Sequence, residues 1–159
     1  DADVRIPLAV DGGRYSTVVL GYRPEWRRWS VYAASGSEAN PAHRFVLSDN
    51  EAGTYAQTNG WVHLSVVYDA PAKRVRLYVN GVPQSTVPAS PTTVAKDVNA
   101  GSDTTLWDNG RGLLIGRVTW DGVVSAHWKG AIRDVRIFSG VLPEACDTSP
   151  VCMSQLPWQ

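Results

Sequence analysis

The stretch Arg74-Val75-Arg76-Leu77-Tyr78-Val79-Asn80-Gly81-Val82-Pro83 constrains the fold more than any other part of this chain. Val75, Leu77 and Val79 alternate with Arg74, Arg76 and Tyr78, a period of two that places the aliphatic side chains on one face of a strand. Asn80-Gly81 then supplies the two residues that tolerate positive φ in a tight hairpin turn. Pro83, which cannot donate to a ladder, suits an edge position or a strand end.

The same alternation precedes it. In Trp61-Val62-His63-Leu64-Ser65-Val66-Val67-Tyr68-Asp69, Val62, Leu64, Val66 and Tyr68 share one face, with His63 and Ser65 on the other. Asp69-Ala70-Pro71-Ala72-Lys73 is turn chemistry, so three consecutive antiparallel strands are expected. Val4–Val10, Ser16–Gly21, Trp29–Ala33 and His43–Ser48 read as further strands. Gly112–Arg117 reads as a short apolar strand, Trp120-Asp121-Gly122 as a loop tip, and Trp128–Phe138 as the last strand. The turn-rich run 83–111 is a long connection with one short strand near Thr104–Trp107. No window carries apolar residues at helical spacing over three turns. About eight to ten short strands separated by turns indicate an all-β sandwich or jelly roll, built as a single domain over 1–159 with a tail at 143–159.

Composition narrows the function. The 15 basic residues balance 15 acidic ones, whereas a nucleic-acid binder draws its affinity from a basic excess. Arg23, Arg27 and Arg28 form the densest basic cluster, but Glu25 sits among them and a solvated face accounts for it. No apolar run approaches the roughly 20 residues that span a bilayer, so neither nucleic acid nor membrane insertion is expected. Cys146 and Cys152 flank the turn-forming Asp147-Thr148-Ser149-Pro150-Val151, a loop short enough to bring two Cβ atoms into disulfide range. A disulfide implies an oxidising compartment and a secreted protein. The chain opens at Asp1-Ala2-Asp3 without a leader and reads as mature or excised.

Four segments in series carry a resemblance: Trp61–Asp69, Val75–Gly81, Gly112–Arg117, and Gly130-Ala131-Ile132-Arg133-Asp134-Val135-Arg136-Ile137-Phe138 followed by Leu142. In this order and spacing the chain resembles the laminin-G-like, concanavalin-A-like jelly-roll domain of secreted bacterial proteins, over about residues 15–143. Two departures stand out. The acidic pair that such domains place before the final strand is here Arg133-Asp134, so its role at that position is in doubt. The opening strands of the family have no counterpart. Either Val4–Val10 is a divergent substitute, or those strands come from a cleaved upstream fragment or a second chain, as in strand donation.

Catalysis finds no support in the residues. Glycoside hydrolases on this fold place paired carboxylates about 5–5.5 Å apart for retention, and the four glutamates (Glu25, Glu38, Glu51 and Glu144) show no such pattern. His63 beside Ser65 reads as a structural pair, and there is no nucleophile elbow. The resemblance implies calcium at a loop rim, with Asp103, Asp108, Asn109 and Asp121 as oxygen donors. Seven tryptophans are many for this length. Trp61 and Trp128 read as core or sheet-edge packing, and Trp26 and Trp29 as stacking on the neighbouring arginines. Trp107-Asp108-Asn109 and Trp120-Asp121 instead each lead into a Gly-containing turn. An indole face beside carboxylate and amide groups suits a sugar ring, though both rings could equally pin their loops. A non-catalytic carbohydrate-binding or adhesion module is the leading expectation. The alternative is a structural or protein-interaction domain that packs on another domain or chain.

Overall fold

A computed structural model describes residues 4–24, 27–34, 43–47, 60–84, 106 and 110–141. Ten antiparallel strands and no helix occur among them, and none of the described elements is a helix that could cross a membrane. Strands β1 (Arg5–Val10), β2 (Val18–Arg23), β3 (Arg28–Ala34) and β4 (His43–Leu47) run as a meander, and β8 (Leu113–Ile115) returns to pair with β1, giving the order β4-β3-β2-β1-β8. A second sheet holds β5 (Leu64–Asp69), β6 (Arg74–Val79) and β7 (Val82–Pro83) in that order, and β9 (Val118–Trp120) pairs with β10 (Val123–Ser125) as a separate hairpin. The architecture is the expected all-β antiparallel jelly-roll sandwich.

The two-residue period of the sequence becomes burial. Register pairs Leu64 with Val79, Val66 with Leu77 and Tyr68 with Val75. Val75, Leu77 and Val79 are fully buried and meet Leu20, Trp29, Val31 and Ala33 from the five-stranded sheet, with Val62, Leu64, Val66 and Tyr68 packed around them. Burying each such aliphatic side chain is worth about 1.5–3 kcal/mol. Asn80 and Gly81 take φ of 50° and 77°, the two positive values that a two-residue hairpin requires. The Asn80 side chain also accepts from the His63 amide at 2.9 Å. Pro83 lies in the two-residue edge strand, as a residue without an N–H must.

The five-stranded sheet is used on both faces. Val19 opposes Tyr32 across the β2–β3 ladder, and their face gathers Ile6, Ala9, Ala34 and Val118 into a second core. Gly21 permits this crowding: a Cβ there would lie 2.5 Å from Ile6 Cδ1 and 3.1 Å from the Arg5 carbonyl oxygen. Arg5–Val10 pairs with β2 on one side and β8 on the other. The divergent opening segment is therefore an interior strand. It carries an irregularity between Arg5 and Leu8 that lets Pro7 avoid donating.

The expected last strand is a different matter. Residues 128–138 form no strand. On either side of the isolated parallel bridge between Ile6 and His127, Ala126 before it and Asp134 after it adopt positive φ, 48° and 53°. These left-handed residues break the straight path that the alternation predicts. Arg133 is drawn across the ring of Trp61 at 4.3 Å. Trp61 is 55% exposed rather than packed at the core, whereas Trp128 does pack against the first core, beside Trp29 at 6.1 Å. The run Thr104–Trp107 falls almost wholly outside the described residues, as do Cys146 and Cys152.

The core assignment makes a direct prediction. Leu77→Ala removes a fully buried side chain and is expected to cost about 2–5 kcal/mol in urea unfolding. Val123→Ala, at an exposed position of the outer hairpin, should change stability by no more than about 0.5 kcal/mol. Equal costs at the two sites would show that the core has been misplaced.

Candidate binding cleft beside the outer hairpin

The β9–β10 hairpin covers only part of the second face of the five-stranded sheet, and it is held there by its own turn. Asp121 and Gly122 take φ of 50° and 76°, again the two-residue hairpin signature. Asp121 Oδ1 accepts from Arg14 Nε at 2.7 Å and from the Tyr15 hydroxyl at 3.1 Å, and Arg14 Nη2 lies 2.6 Å from the same oxygen. Gly122 donates its amide to the Arg14 carbonyl at 2.8 Å. One strand position back, Ser16 N donates to the Thr119 carbonyl at 3.0 Å, and Thr119 N donates to Ser16 Oγ at 3.1 Å. Ser16 and Thr119 are both buried. The segment 14–16 is presented by the Asp11-Gly12-Gly13 turn, in which Asp11 Oδ1 accepts from the Gly13 amide at 2.9 Å. Gly12 has no room for a side chain, since a Cβ would fall 1.8 Å from the Tyr15 carbonyl oxygen.

This anchoring sets Trp120 beside two tyrosines. Its ring stands edge-to-face to Tyr15, with centroids 5.1 Å apart, and to Tyr32 at 5.7 Å. Such geometry adds about 0.5–1.5 kcal/mol per pair beyond area burial. The indole nevertheless keeps 45% of its surface exposed. Beside it opens a cavity of about 440 Å³ lined by buried Ile6, Val19, Val118 and Tyr32, and by the more accessible Arg23, Ser125 and Trp120. The lining is mostly apolar with a few polar groups, the usual character of a small-ligand site. Burial pushes the Tyr32 phenol up to about 12, partly countered by the positive charge of Arg23. Tyr32 therefore stays a neutral hydroxyl across the physiological range. Arg23 is the only charged side chain among the described lining residues.

The structure places the sequence candidates unevenly. Trp120 borders the cavity. Asp121 Oδ1 is engaged by the Arg14 guanidinium and the Tyr15 hydroxyl. Those hydrogen bonds, the one from Arg14 first, hold its carboxyl below the usual Asp range and raise Arg14 in turn. A cation at Oδ1 would compete with that guanidinium. Among the described residues no three His, Cys, Asp or Glu side chains converge on one point. Asp103, Trp107, Asp108 and Asn109 lie outside the described residues. His63, lowered by burial, sits 3.4 Å from Ser65 Oγ. Tyr32, Arg23 and Ser125 escaped the sequence reading. The available signal was that Val31 and Tyr32, adjacent in one strand, point to opposite faces, and a large aromatic beside an aliphatic residue marks a strand covered on both.

Two layers of antiparallel sheet, with a third small hairpin, define an antiparallel jelly-roll sandwich. The chain belongs to the concanavalin A-like lectin/glucanases superfamily through its laminin-G-like family model, which matches residues 3–145. No curated protein and no solved structure matches it.

The Arg14–Asp121 contact predicts a pH signature. Because the carboxyl is depressed in the folded protein, its contribution to stability is complete above the unfolded-state Asp value and is lost as pH falls through the lower folded-state value. In Arg14→Met the Asp121 midpoint, followed by carbonyl-carbon NMR, should rise toward the ordinary Asp value. A midpoint indifferent to this substitution would leave the hairpin anchored by its main-chain bonds alone.

Proposed function

We propose that this domain is a non-catalytic carbohydrate-binding or adhesion module of a secreted protein, and that its ligand seat is the cleft beside Trp120. The observation that carries this reading is a half-exposed indole at the edge of a cavity of about 440 Å³, with Tyr32, Arg23 and Ser125 in its lining. A pyranose offers an apolar C–H face and a ring of hydroxyls. The first suits an indole, and the second suits a neutral phenol, a guanidinium and a serine hydroxyl. Asp121 serves this site by fixing the hairpin rather than by touching sugar. Trp107, Asp108 and Asn109 are proposed as a second contact surface on the long connection. The described lining holds no Asp or Glu, and paired carboxylates are what glycoside hydrolysis on this kind of fold requires. The module is proposed to hold its ligand without cleaving it.

A glycan array is the direct test. The wild type is expected to retain at least one glycan class, and Trp120→Ala should weaken it by about tenfold or more while the unfolding midpoint stays within a few degrees. Arg23→Met should weaken it less, and Trp107→Ala reports on the second surface. A wild type that binds no glycan, or a Trp120→Ala protein that binds as well as wild type, would overturn the assignment. Secretion is tested separately by intact mass. A Cys146–Cys152 bridge makes the protein about 2 Da lighter than its reduced form, and an unchanged mass on reduction would remove that support.

A further inference from the structure

The turn that joins β6 to β7 is Asn80-Gly81, and the residues that suit a two-residue hairpin are also a chemically labile pair. Asparagine is thermolabile because its side-chain amide can be attacked by the backbone nitrogen of the next residue. A Cβ on that next residue hinders the approach, and Gly81 has none. The sequence holds three such pairs, Asn59-Gly60, Asn80-Gly81 and Asn109-Gly110, and both residues of the second are described. Asn80 is exposed, so water reaches it, yet it is tied to His63 twice. His63 N donates to Asn80 Oδ1 at 2.9 Å, and Asn80 N donates to the His63 carbonyl at 2.8 Å. On the other side, β7 closes the turn with only two residues, Val82 facing Val79 and Pro83 facing Tyr78. Its far end is held by buried Gln84, whose backbone amide donates to the Leu77 carbonyl at 2.9 Å and whose Nε2 donates to the Val82 carbonyl at 2.8 Å.

We propose that Asn80-Gly81 is a spontaneous deamidation site that the folded sheet holds shut and that reacts when β7 opens. In the reaction the Gly81 nitrogen gives up its proton to hydroxide and attacks Asn80 Cγ. The Cγ–Nδ2 bond breaks and ammonia leaves, so a cyclic imide joins the two residues. Water then adds to one of the two imide carbonyls. Addition at Cγ gives an aspartate at position 80, and addition at the backbone carbonyl gives an isoaspartate. One water is consumed and one ammonia released, with no oxidant or reductant. Closing the imide ring turns the Asn80 side chain and its backbone together, and the His63 contacts fix both. The sheet order β5-β6-β7 puts the two-residue strand at an edge, where local opening takes far less free energy than global unfolding. An isoaspartate routes the backbone through Cβ and lengthens the turn by a methylene. Val82 then no longer faces Val79, and the opening becomes permanent. The site lies on the three-stranded sheet, outside the lining of the cleft beside Trp120, so it stands or falls apart from glycan binding.

The test is peptide mapping by mass spectrometry of the full chain, aged at mildly alkaline pH in native buffer and in urea. Each converted asparagine makes its peptide about 1 Da heavier. In urea Asn80 should convert at a rate similar to those of Asn59 and Asn109. In native buffer it should convert about tenfold or more slowly than in urea, because only the opened fraction reacts. Gln84→Ala loosens β7 and should speed native conversion of Asn80 several-fold, leaving the rates at Asn59 and Asn109 unchanged. Circular dichroism checks that this variant keeps its fold. A second readout needs no substitution. In urea below the unfolding transition, Asn80 conversion should rise with a slope shallower than that of global unfolding, since local opening exposes less surface. Conversion as fast in native buffer as in urea overturns the proposal, because the fold then holds nothing shut. An Asn80 that stays intact in urea overturns it equally. So does native conversion that follows the global unfolding curve, since β7 is then not the gate.

Discussion

Val31 and Tyr32 are neighbours in the chain and each is 1% exposed, yet they belong to different cores. Every described residue of β3 after its first is buried, so the strand must be covered on both faces. The rest of the described architecture follows from that demand. The β5–β6–β7 sheet closes the face carrying Trp29, Val31 and Ala33 with three fully buried aliphatic residues. Among the described residues, the opposite face, carrying Tyr32 and Ala34, receives a three-residue strand and its hairpin partner. One face is closed by a broad sheet and the other by a narrow cover. The cleft beside Trp120 is what the narrow cover leaves open.

The contrast explains which parts of the fold were legible in the residues. Where a strand is buried on one side, alternation is a strong signal. Val75, Leu77 and Val79 fell on the inner face as the pattern demands, and the Asn80-Gly81 turn fell where its φ preferences place it. Strand β3 sent a weaker signal, because burial on both faces erases alternation. Its second face was therefore not anticipated, and neither was Tyr32 as part of a cleft. The outer hairpin was half legible. Asp121-Gly122 was recognised as a loop tip, but Val118–Trp120 and Val123–Ser125 are too short for period two to register. Trp128–Phe138 shows the converse failure. Its alternation is clear, but positive φ at Ala126 and Asp134 and the pull of Trp61 on Arg133 take the backbone off the path that alternation alone describes.

The site obeys the same logic. A residue-type argument could mark Trp120 and Asp121 as an indole beside a carboxylate, because both lie in one turn. It could not see that the carboxylate is spent on Arg14, more than a hundred positions away in sequence, nor that Arg23 and Tyr32 arrive from two other strands. Aromatic and charged residues that meet only through β-sheet register leave no local spacing to read. The turn chemistry that holds them, Asp11-Gly12-Gly13 on one side and Asp121-Gly122 on the other, is nevertheless visible in the chain and brackets the cleft.

The order β4-β3-β2-β1-β8 also sets a timetable. Strand β1 finds β2 within a few residues, but its other neighbour is β8, and Leu8 waits for Ile115. Closing so long a loop is entropically costly and slow compared with zipping a hairpin. As the chain leaves the ribosome, the first four strands can assemble while the flank of β1 stays open until Leu113–Ile115 has been made. During that interval Ile6, Leu8 and Ala9 sit on a raw edge, the kind of surface that seeds misassembly between nascent chains. The yield of folded protein should therefore depend on translation speed through the turn-rich connection between β7 and β8.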